Sequence, residues 1–275
     1  MAVKRLDLFL ACLLFLAFIG ISCKKKMTDE LTTSNNSKTN LQNMRHISDS
    51  LQVLESNAIY FGHQSVGFNI VSGIQEILKD NSRVHLNLKE IITSDTTLQI
   101  PAFLHSPIGR NGEPISKIDD FVQFIKQNGD KLDIAFMKLC YVDITRKTDV
   151  DKLFSYYKAS MDSIENIYPN LQIVHFTVPL TLKPTGIKGL IKKLIRMDNN
   201  VFRSRYNELI RKSYPENKVF DIAGFESTYP DGTRYTYGLG IPGLIPDYAS
   251  DEGHLNSRGR LHIASKLLEK MFALK

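Results

Sequence analysis

Cysteine is scarce in this sequence, and the positions of its cysteines limit what they can do. There are three in 275 residues, and two of them, Cys12 and Cys23, lie in the N-terminal apolar segment. Only Cys140 remains for the folded body, so no internal disulfide can form there. Cys140 ends an apolar run that starts at Ile134, which favours a small buried side chain over a nucleophile.

Sequence signals for metals and nucleotide cofactors are also missing. The seven histidines are scattered, and none stands in the paired spacing of a metal site with a carboxylate. Neither a G-x-x-x-x-G-K-[ST] loop nor a helix-opening G-x-G-x-x-G turn occurs, so we expect no metal and no cofactor. Basic residues of the N-terminal segment contribute part of the formal net charge of +6. The body is therefore closer to neutral, and nucleic acid is not an expected partner.

The chain begins with a segment that is typical of export signals. A basic start precedes an apolar run that ends at Cys23 and is short for a membrane-spanning helix. Ser22 followed by Cys23 resembles the bacterial lipoprotein signal, although Gly20 stands where a branched aliphatic residue is usual. That resemblance implies a signal peptide over residues 1–23 and lipidation of Cys23, which would anchor the protein to a membrane of the cell envelope, on its periplasmic or cell-surface face. Simple cleavage and an uncleaved anchor are the alternatives.

The rest of the chain divides by composition into a tether and one domain. Residues 24–50 are rich in Ser, Thr, Asn and Lys, which predicts a flexible tether. Over residues 51–275, apolar strand patterns alternate with amphipathic helical patterns. The predicted strands are Ala58–Phe61, Val84–Ile92, Leu132–Leu139, Leu171–Val178 and Lys218–Ile222. This alternation predicts a three-layer α/β/α sandwich with a central, mostly parallel five-stranded sheet, and active groups at the carboxyl ends of its strands.

A carboxylate and a histidine lie close together near the end of the chain. Asp251 and His254 are separated by two residues and precede an amphipathic helical pattern. At this spacing the carboxylate can hold the Nδ1–H group of the imidazole and leave Nε2 free as a base. Such a pair also occurs often by chance, so it does not define a catalytic site by itself.

A serine near the start of the domain is a candidate nucleophile. Ser65 lies in the turn GHQSVG, residues 62–67, between the predicted strand Ala58–Phe61 and a helical pattern that begins at Phe68. Its hydroxyl would lie near backbone N–H groups and the positive end of a helix dipole, which suit a developing oxyanion. The alternative role for a serine at this position is a helix N-cap.

These two segments resemble sequence blocks of the SGNH (GDSL-like) serine hydrolase family. The segment DEGHLNSRG, which begins at Asp251, closely resembles the last block, and GHQSVG resembles the first block more loosely. The resemblance covers about residues 51–275 and implies a flavodoxin-like α/β fold. It also implies a catalytic triad of Ser65, His254 and Asp251.

The resemblance further implies an oxyanion hole, although the chain departs from the family pattern. The implied donors are the backbone N–H groups of Ser65 and Gly109. Val142 stands where the family has an Asn donor, so Asn111 or another group would complete the hole. At the position of His63 the family commonly has an acidic residue next to the serine. The sequence leaves two roles open for His63, a contact with the substrate and a cap of the turn.

The resemblance and the export signal together predict a serine esterase of the cell envelope that works through an acyl-enzyme. Its expected substrate is a small-molecule or glycan ester, and a carbohydrate O-deacetylase is the specific hypothesis. The expected partner is a lipid membrane, through the N-terminal anchor. An O-acyltransferase with the same triad is one alternative. A degenerate domain that binds glycans without turning them over is the other, because the Asn donor is missing.

Overall fold

The computed structural model describes residues 52–81, 84–92, 97–186 and 198–274. The expected signal peptide, tether and lipidated Cys23 lie outside the described residues. Within the described ranges, no helix is long and apolar enough to cross a bilayer.

A parallel sheet of six strands forms the centre of the described fold. Its strands are β1 (Ala58–His63), β2 (Leu88–Glu90), β3 (Ala102–Pro107), β4 (Ile134–Met137), β5 (Gln172–Phe176) and β6 (Val219–Phe220). Their spatial order is β2-β3-β1-β4-β5-β6, and every neighbouring pair is parallel. A separate antiparallel hairpin pairs β7 (Thr236–Tyr237) with β8 (Ile241–Pro242).

Helices cover both faces of this sheet. They are α1 (Val66–Asp80), α2 (Pro114–Asn128), α3 (Val150–Ile167), α4 (Asn199–Ser213), α5 (Ile222–Glu226) and α6 (Ser257–Phe272). Short 3₁₀ turns occupy Gly129–Lys131, Glu216–Lys218 and Pro246–Tyr248. Alternate side chains of a strand point to opposite faces of the sheet. Tyr60 therefore packs on the face covered by helices α2 to α4. Phe61, the next residue, stacks with Phe176 on the other face.

The fold class predicted from the sequence is confirmed, with a correction to the sheet. The sheet has six strands because β3, which was not among the predicted strands, lies between β1 and β2. Its segment AFLHSP is buried at five of six positions and contains His105 and Ser106, so it lacks the alternation of apolar and polar residues that marks a strand. The predicted strand Val84–Ile92 is reduced to β2, three residues at the edge of the sheet.

Helices α1 and α6 pack unusually close to each other at Gly73. A Cβ atom added at Gly73 would lie 2.4 Å from the backbone oxygen of Arg260 and 2.8 Å from the Cβ atom of Ala264. Glu76 and Arg260 form an ion pair across the same contact, with 2.5 Å between Oε1 and Nη2. The absence of a side chain at Gly73 therefore sets the distance between the two helices.

A hydrogen bond fixes the segment that precedes α6 against α1. The backbone N–H of Leu255 donates to Oδ1 of Asn69 over 3.1 Å. Asn256 then caps α6, because its Oδ1 accepts from the Gly259 N–H at 2.9 Å. These contacts bring the residue before Leu255 to the N-terminal end of α1.

Substitution of Gly73 by Ala tests this close approach. Ala is favoured over Gly in a helix interior by about 1 kcal/mol, yet the new Cβ atom has to push α6 away, which typically costs about 1–3 kcal/mol. We expect Gly73→Ala to lower the free energy of unfolding, measured by urea denaturation. Gln75→Ala, on the exposed face of the same helix, should change it by less than about 0.5 kcal/mol. A Gly73→Ala protein more stable than the wild type would contradict the expectation.

Candidate active site

Ser65 lies at the junction of β1 and α1 with a strained backbone. Its φ of 53° and ψ of −114° make it the one non-glycine residue with positive φ among the described residues. Such a conformation costs on the order of 1–3 kcal/mol and is found preferentially at functional sites. Ser65 stands at the N-cap position of α1, but its side chain makes no capping hydrogen bond. The N-cap alternative therefore does not account for its hydroxyl.

The structure brings the side chains of Ser65, His254 and Asp251 together. Oγ of Ser65 lies 2.8 Å from Nε2 of His254, and Nδ1 of His254 lies 2.8 Å from Oδ2 of Asp251. With Nδ1–H donated to the carboxylate, Nε2 is left to accept from the serine hydroxyl. The three groups thus form a continuous path along which a proton can leave the hydroxyl.

Local backbone contacts keep Asp251 ionised and oriented. Its Oδ1 accepts the backbone N–H groups of Gly253, at 2.9 Å, and of His254, at 2.8 Å. Burial alone would raise the pKa of Asp251, but these hydrogen bonds and the contact with the His254 side chain hold it below its ordinary value. The His254 side chain is 37% exposed, so substrate and water can reach it.

The backbone N–H of Gly109, which the sequence predicts as an oxyanion donor, has a carboxylate partner in the structure. That N–H donates to Oδ2 of Asp120 over 2.8 Å, so it is already occupied. The N–H of Gly112, in the same turn, is likewise donated to Oδ1 of Asp143 at 2.8 Å. Both of these backbone N–H groups therefore hold the turn against carboxylates of neighbouring segments.

A buried ion pair fixes the side chain of Asn111, which belongs to the same turn. Nζ of Lys117 donates to Oδ2 of Asp143 at 2.7 Å, and both side chains are 0% exposed. The same Nζ donates to Oδ1 of Asn111 at 2.9 Å. The carbonyl of the Asn111 side chain is therefore occupied, and its NH₂ group is the part that can donate to a substrate. Oδ2 of Asp143 also accepts from the Cys140 N–H at 2.6 Å, which gives Asp143 a structural role.

Of the two roles left open for His63, the substrate contact receives no support from its position in the structure. His63 is 0% exposed, and its Nε2 lies 3.2 Å from Nδ1 of the buried His105. Burial, together with His105 and Lys138, lowers the pKa of His63 to about 2, so the ring is neutral. No group of three or more metal-ligating side chains is found in the part of the chain that the structure describes.

Tyr141, which was not among the predicted site residues, lies directly beside the three. Its phenol end packs against Gly253, where an added Cβ atom would lie 2.8 Å from Cζ of the Tyr141 ring. Its ring stands edge-on to the His254 ring, with 5.8 Å between centroids. The one sequence signal is its position after β4, adjacent to Val142, and that signal does not give the direction of the side chain.

Comparisons with known proteins were made by sequence and by structure. No family model matches the chain, and no curated protein is similar to it at a significant level. One similar structure is provisionally described as a platelet activating factor from Streptococcus pneumonia, with 14% identity, a TM-score of 0.48, and 86% of this chain and 96% of that chain covered. Another is provisionally described as a lipolytic protein of the G-D-S-L family from Desulfitobacterium hafniense DCB-2, with 11% identity, a TM-score of 0.43, and coverages of 78% and 99%. These similarities are too low to define an activity.

The strained backbone of Ser65 predicts an unusual order of stability among its variants. Glycine adopts positive φ without strain, so Ser65→Gly should be more stable than Ser65→Ala by about 1 kcal/mol, although both lack the hydroxyl. Ser72, inside α1, is the matched control, because there the Ala variant should be the more stable by about 1 kcal/mol. Urea denaturation of the four variants measures both differences, and the same order at both positions would contradict the assigned strain.

Proposed function

We propose that the protein is a serine hydrolase that cleaves ester bonds through an acyl-enzyme. The observation that supports this most directly is the pair of 2.8 Å contacts that link Oγ of Ser65 to His254 and His254 to Asp251. A hydroxyl, an imidazole and an ionised carboxylate in this order are the groups that acyl transfer needs. The strained turn at Ser65 supports the same role, since nucleophilic serines are held on sharp strand-to-helix turns in other hydrolases.

In the first half of the reaction, Oγ of Ser65 attacks the ester carbonyl carbon while Nε2 of His254 takes its proton. The π electrons of the carbonyl move onto its oxygen, which carries the negative charge of the tetrahedral intermediate. Collapse of this intermediate expels the alcohol, which receives the proton from His254, and leaves the acyl group on Ser65. Asp251 holds the ring throughout and stabilises its positive charge.

In the second half, water attacks the acyl carbon while Nε2 of His254 takes its proton. Collapse of the second tetrahedral intermediate breaks the bond between Oγ of Ser65 and the acyl carbon, His254 returns the proton to Oγ, and the carboxylic acid leaves. The partial exposure of His254 supports this step, because water can approach Nε2 from solvent. The oxyanion would be held by the backbone N–H of Ser65, at the start of α1, and by the NH₂ group of Asn111. Gly109 has no part in this revised set, because Asp120 accepts its N–H.

The finer proposal is that the substrate is an O-acyl ester of a carbohydrate in the cell envelope. Its support is the export signal and the lipoprotein-like segment that ends at Cys23. A hydrolase tethered at this location meets polysaccharide esters directly. Comparison of acetate release from O-acetylated glycans with hydrolysis of longer-chain esters, using Ser65→Ala as the blank, tests this choice.

Labelling with a fluorophosphonate probe tests the hydrolase. The probe reacts with an activated serine, so we expect one label on the wild-type protein, at Ser65, located by peptide mass spectrometry. His254→Ala should abolish the label, and Asp251→Asn should slow it by about 10⁴-fold, as expected when the imidazole is left in the wrong tautomer. His85→Ala is the matched control. It removes an exposed histidine that is not one of the three proposed catalytic residues, and it should label as the wild type does.

The outcome of labelling also separates the hydrolase from a binding domain. Well-folded wild-type protein that takes no label, and hydrolyses no ester, would favour a degenerate glycan-binding domain. Label at Ser65 combined with acetyl transfer to an added sugar, faster than hydrolysis, would favour an acyltransferase.

Lipidation of Cys23 is a separate proposal with its own test. When the full chain is expressed in a bacterium fed labelled palmitate, the wild type should incorporate label and sediment with membranes. Cys23→Ser should lose the label, whereas Cys12→Ser, which changes the other cysteine of the N-terminal segment, should keep it. Equal labelling of the wild type and Cys23→Ser would contradict the proposed anchor.

A further inference from the structure

The donors assigned so far to the oxyanion of the proposed hydrolase are two, the backbone N–H of Ser65 and the NH₂ group of Asn111. Val142 lies in the turn after β4, at the position where an amide donor was expected, and its apolar side chain cannot donate a hydrogen bond. The backbone N–H groups of Gly109 and Gly112 are both donated to carboxylates. A donor from another part of the site would therefore contribute directly to the rate.

The phenol end of Tyr141 lies beside the side chains that would react. An added Cβ atom at Gly253 would lie 2.8 Å from Cζ, the ring carbon that carries the Tyr141 hydroxyl. Gly253 immediately precedes His254, whose Nε2 lies 2.8 Å from Oγ of Ser65. The Ser65 side chain also acts on the pKa of Tyr141, in the lowering direction. A phenol at this position has a hydrogen to donate to an oxygen that develops charge next to Oγ.

The ring of Tyr141 is held in place from three sides. The guanidinium of Arg203 lies over it, 5.6 Å from the ring centroid, and Nε of Arg203 donates to the backbone oxygen of Tyr141 at 2.8 Å. On another side the ring packs against Gly253, where an added Cβ atom would lie only 2.6 Å from the ring. The edge of the ring meets His254. A donor that is fixed before the reaction loses little free energy to reorganisation when charge develops.

The phenol also remains protonated where the enzyme would work. Burial, with the nearby carboxylates of Asp251 and Glu252, raises the pKa of Tyr141 above its ordinary value. Tyr141 can therefore donate a hydrogen bond throughout the neutral range.

We propose that Tyr141 is a catalytic residue whose hydroxyl donates a hydrogen bond to the oxyanion, in place of the amide donor that Val142 cannot supply. This inference rests on the proposed hydrolase function. When Oγ of Ser65 bonds to the carbonyl carbon, the oxyanion and Oγ are attached to the same atom. The Tyr141 hydroxyl, which lies beside His254, then donates to that oxygen by rotation about its own C–O bond while the ring stays in place. The phenol proton stays on Tyr141 throughout, and the proton released by Ser65 goes to His254.

Substitution of Tyr141 by Phe removes this donor and keeps the ring. We expect kcat for p-nitrophenyl acetate to fall about 100-fold, within the 10²- to 10³-fold range for loss of one oxyanion donor, with KM changed by less than about threefold. The rate of fluorophosphonate labelling at Ser65 should fall in parallel, because its transition state also develops charge on oxygen. Tyr156→Phe is the matched control, since Tyr156 is exposed and its hydroxyl donates to Asp119 at 2.5 Å, outside the site. It should leave both rates unchanged.

Incorporation of 3,5-difluorotyrosine at position 141 provides a second variant with the same packing. Fluorination makes the phenol ionise at lower pH, and a phenolate cannot donate. The kcat of this protein should therefore be lost at a lower pH than that of the wild type, whereas a merely structural ring would leave the pH profile unmoved.

The outcomes separate the inference from the function on which it rests. Wild-type protein without esterase activity and without label at Ser65 overturns the proposed function and the role of Tyr141 with it. The role of Tyr141 alone is overturned if the wild type is active and either of two results is found. One is a kcat of Tyr141→Phe within threefold of the wild-type value, and the other is an unshifted pH profile of the fluorinated protein.

Discussion

The hydrogen bond between Ser65 and His254 joins two side chains that are 189 residues apart in sequence, and the chemistry of the site depends on it. It can form only if the N-terminal end of α1 and the segment before α6 meet. The close helix contact at Gly73 and the bond from Leu255 to Asn69 bring them together. The site is therefore a consequence of how two helices pack on one face of the sheet.

The site contains two arrangements that cost stability and that the surrounding core has to offset. Ser65 is held at positive φ, and the Lys117–Asp143 pair is fully buried, where loss of hydration opposes the attraction between the charges. Both are surrounded by well-packed elements. The ion pair in turn holds Asn111 and the turn that contains Gly112. Rigid placement of donors is what stabilisation of a developing charge requires.

The proposed oxyanion donors differ from the expected set, although the contacts among Ser65, His254 and Asp251 are those that the sequence predicts. A backbone donor was expected at Gly109, but Asp120 accepts that N–H. The amide of Asn111 and the phenol of Tyr141 are side-chain groups, anchored by Lys117 and Arg203 respectively. Side-chain donors can be supplied from different elements, so the loss of an amide at the position of Val142 does not by itself imply an inactive site.

The sequence by itself determined the α/β fold class and the pairing of Asp251 with His254, since both follow from local spacing. It identified Ser65 through a turn between a strand pattern and a helix pattern. Only the tertiary structure decided that β3 joins the sheet, that His63 is buried against His105, and that Gly109 donates to Asp120. Only it placed the ring of Tyr141 against the ring of His254. The physical reason is that periodicity and spacing report which face of an element is apolar, whereas the partner of a polar group depends on which distant segments pack beside it.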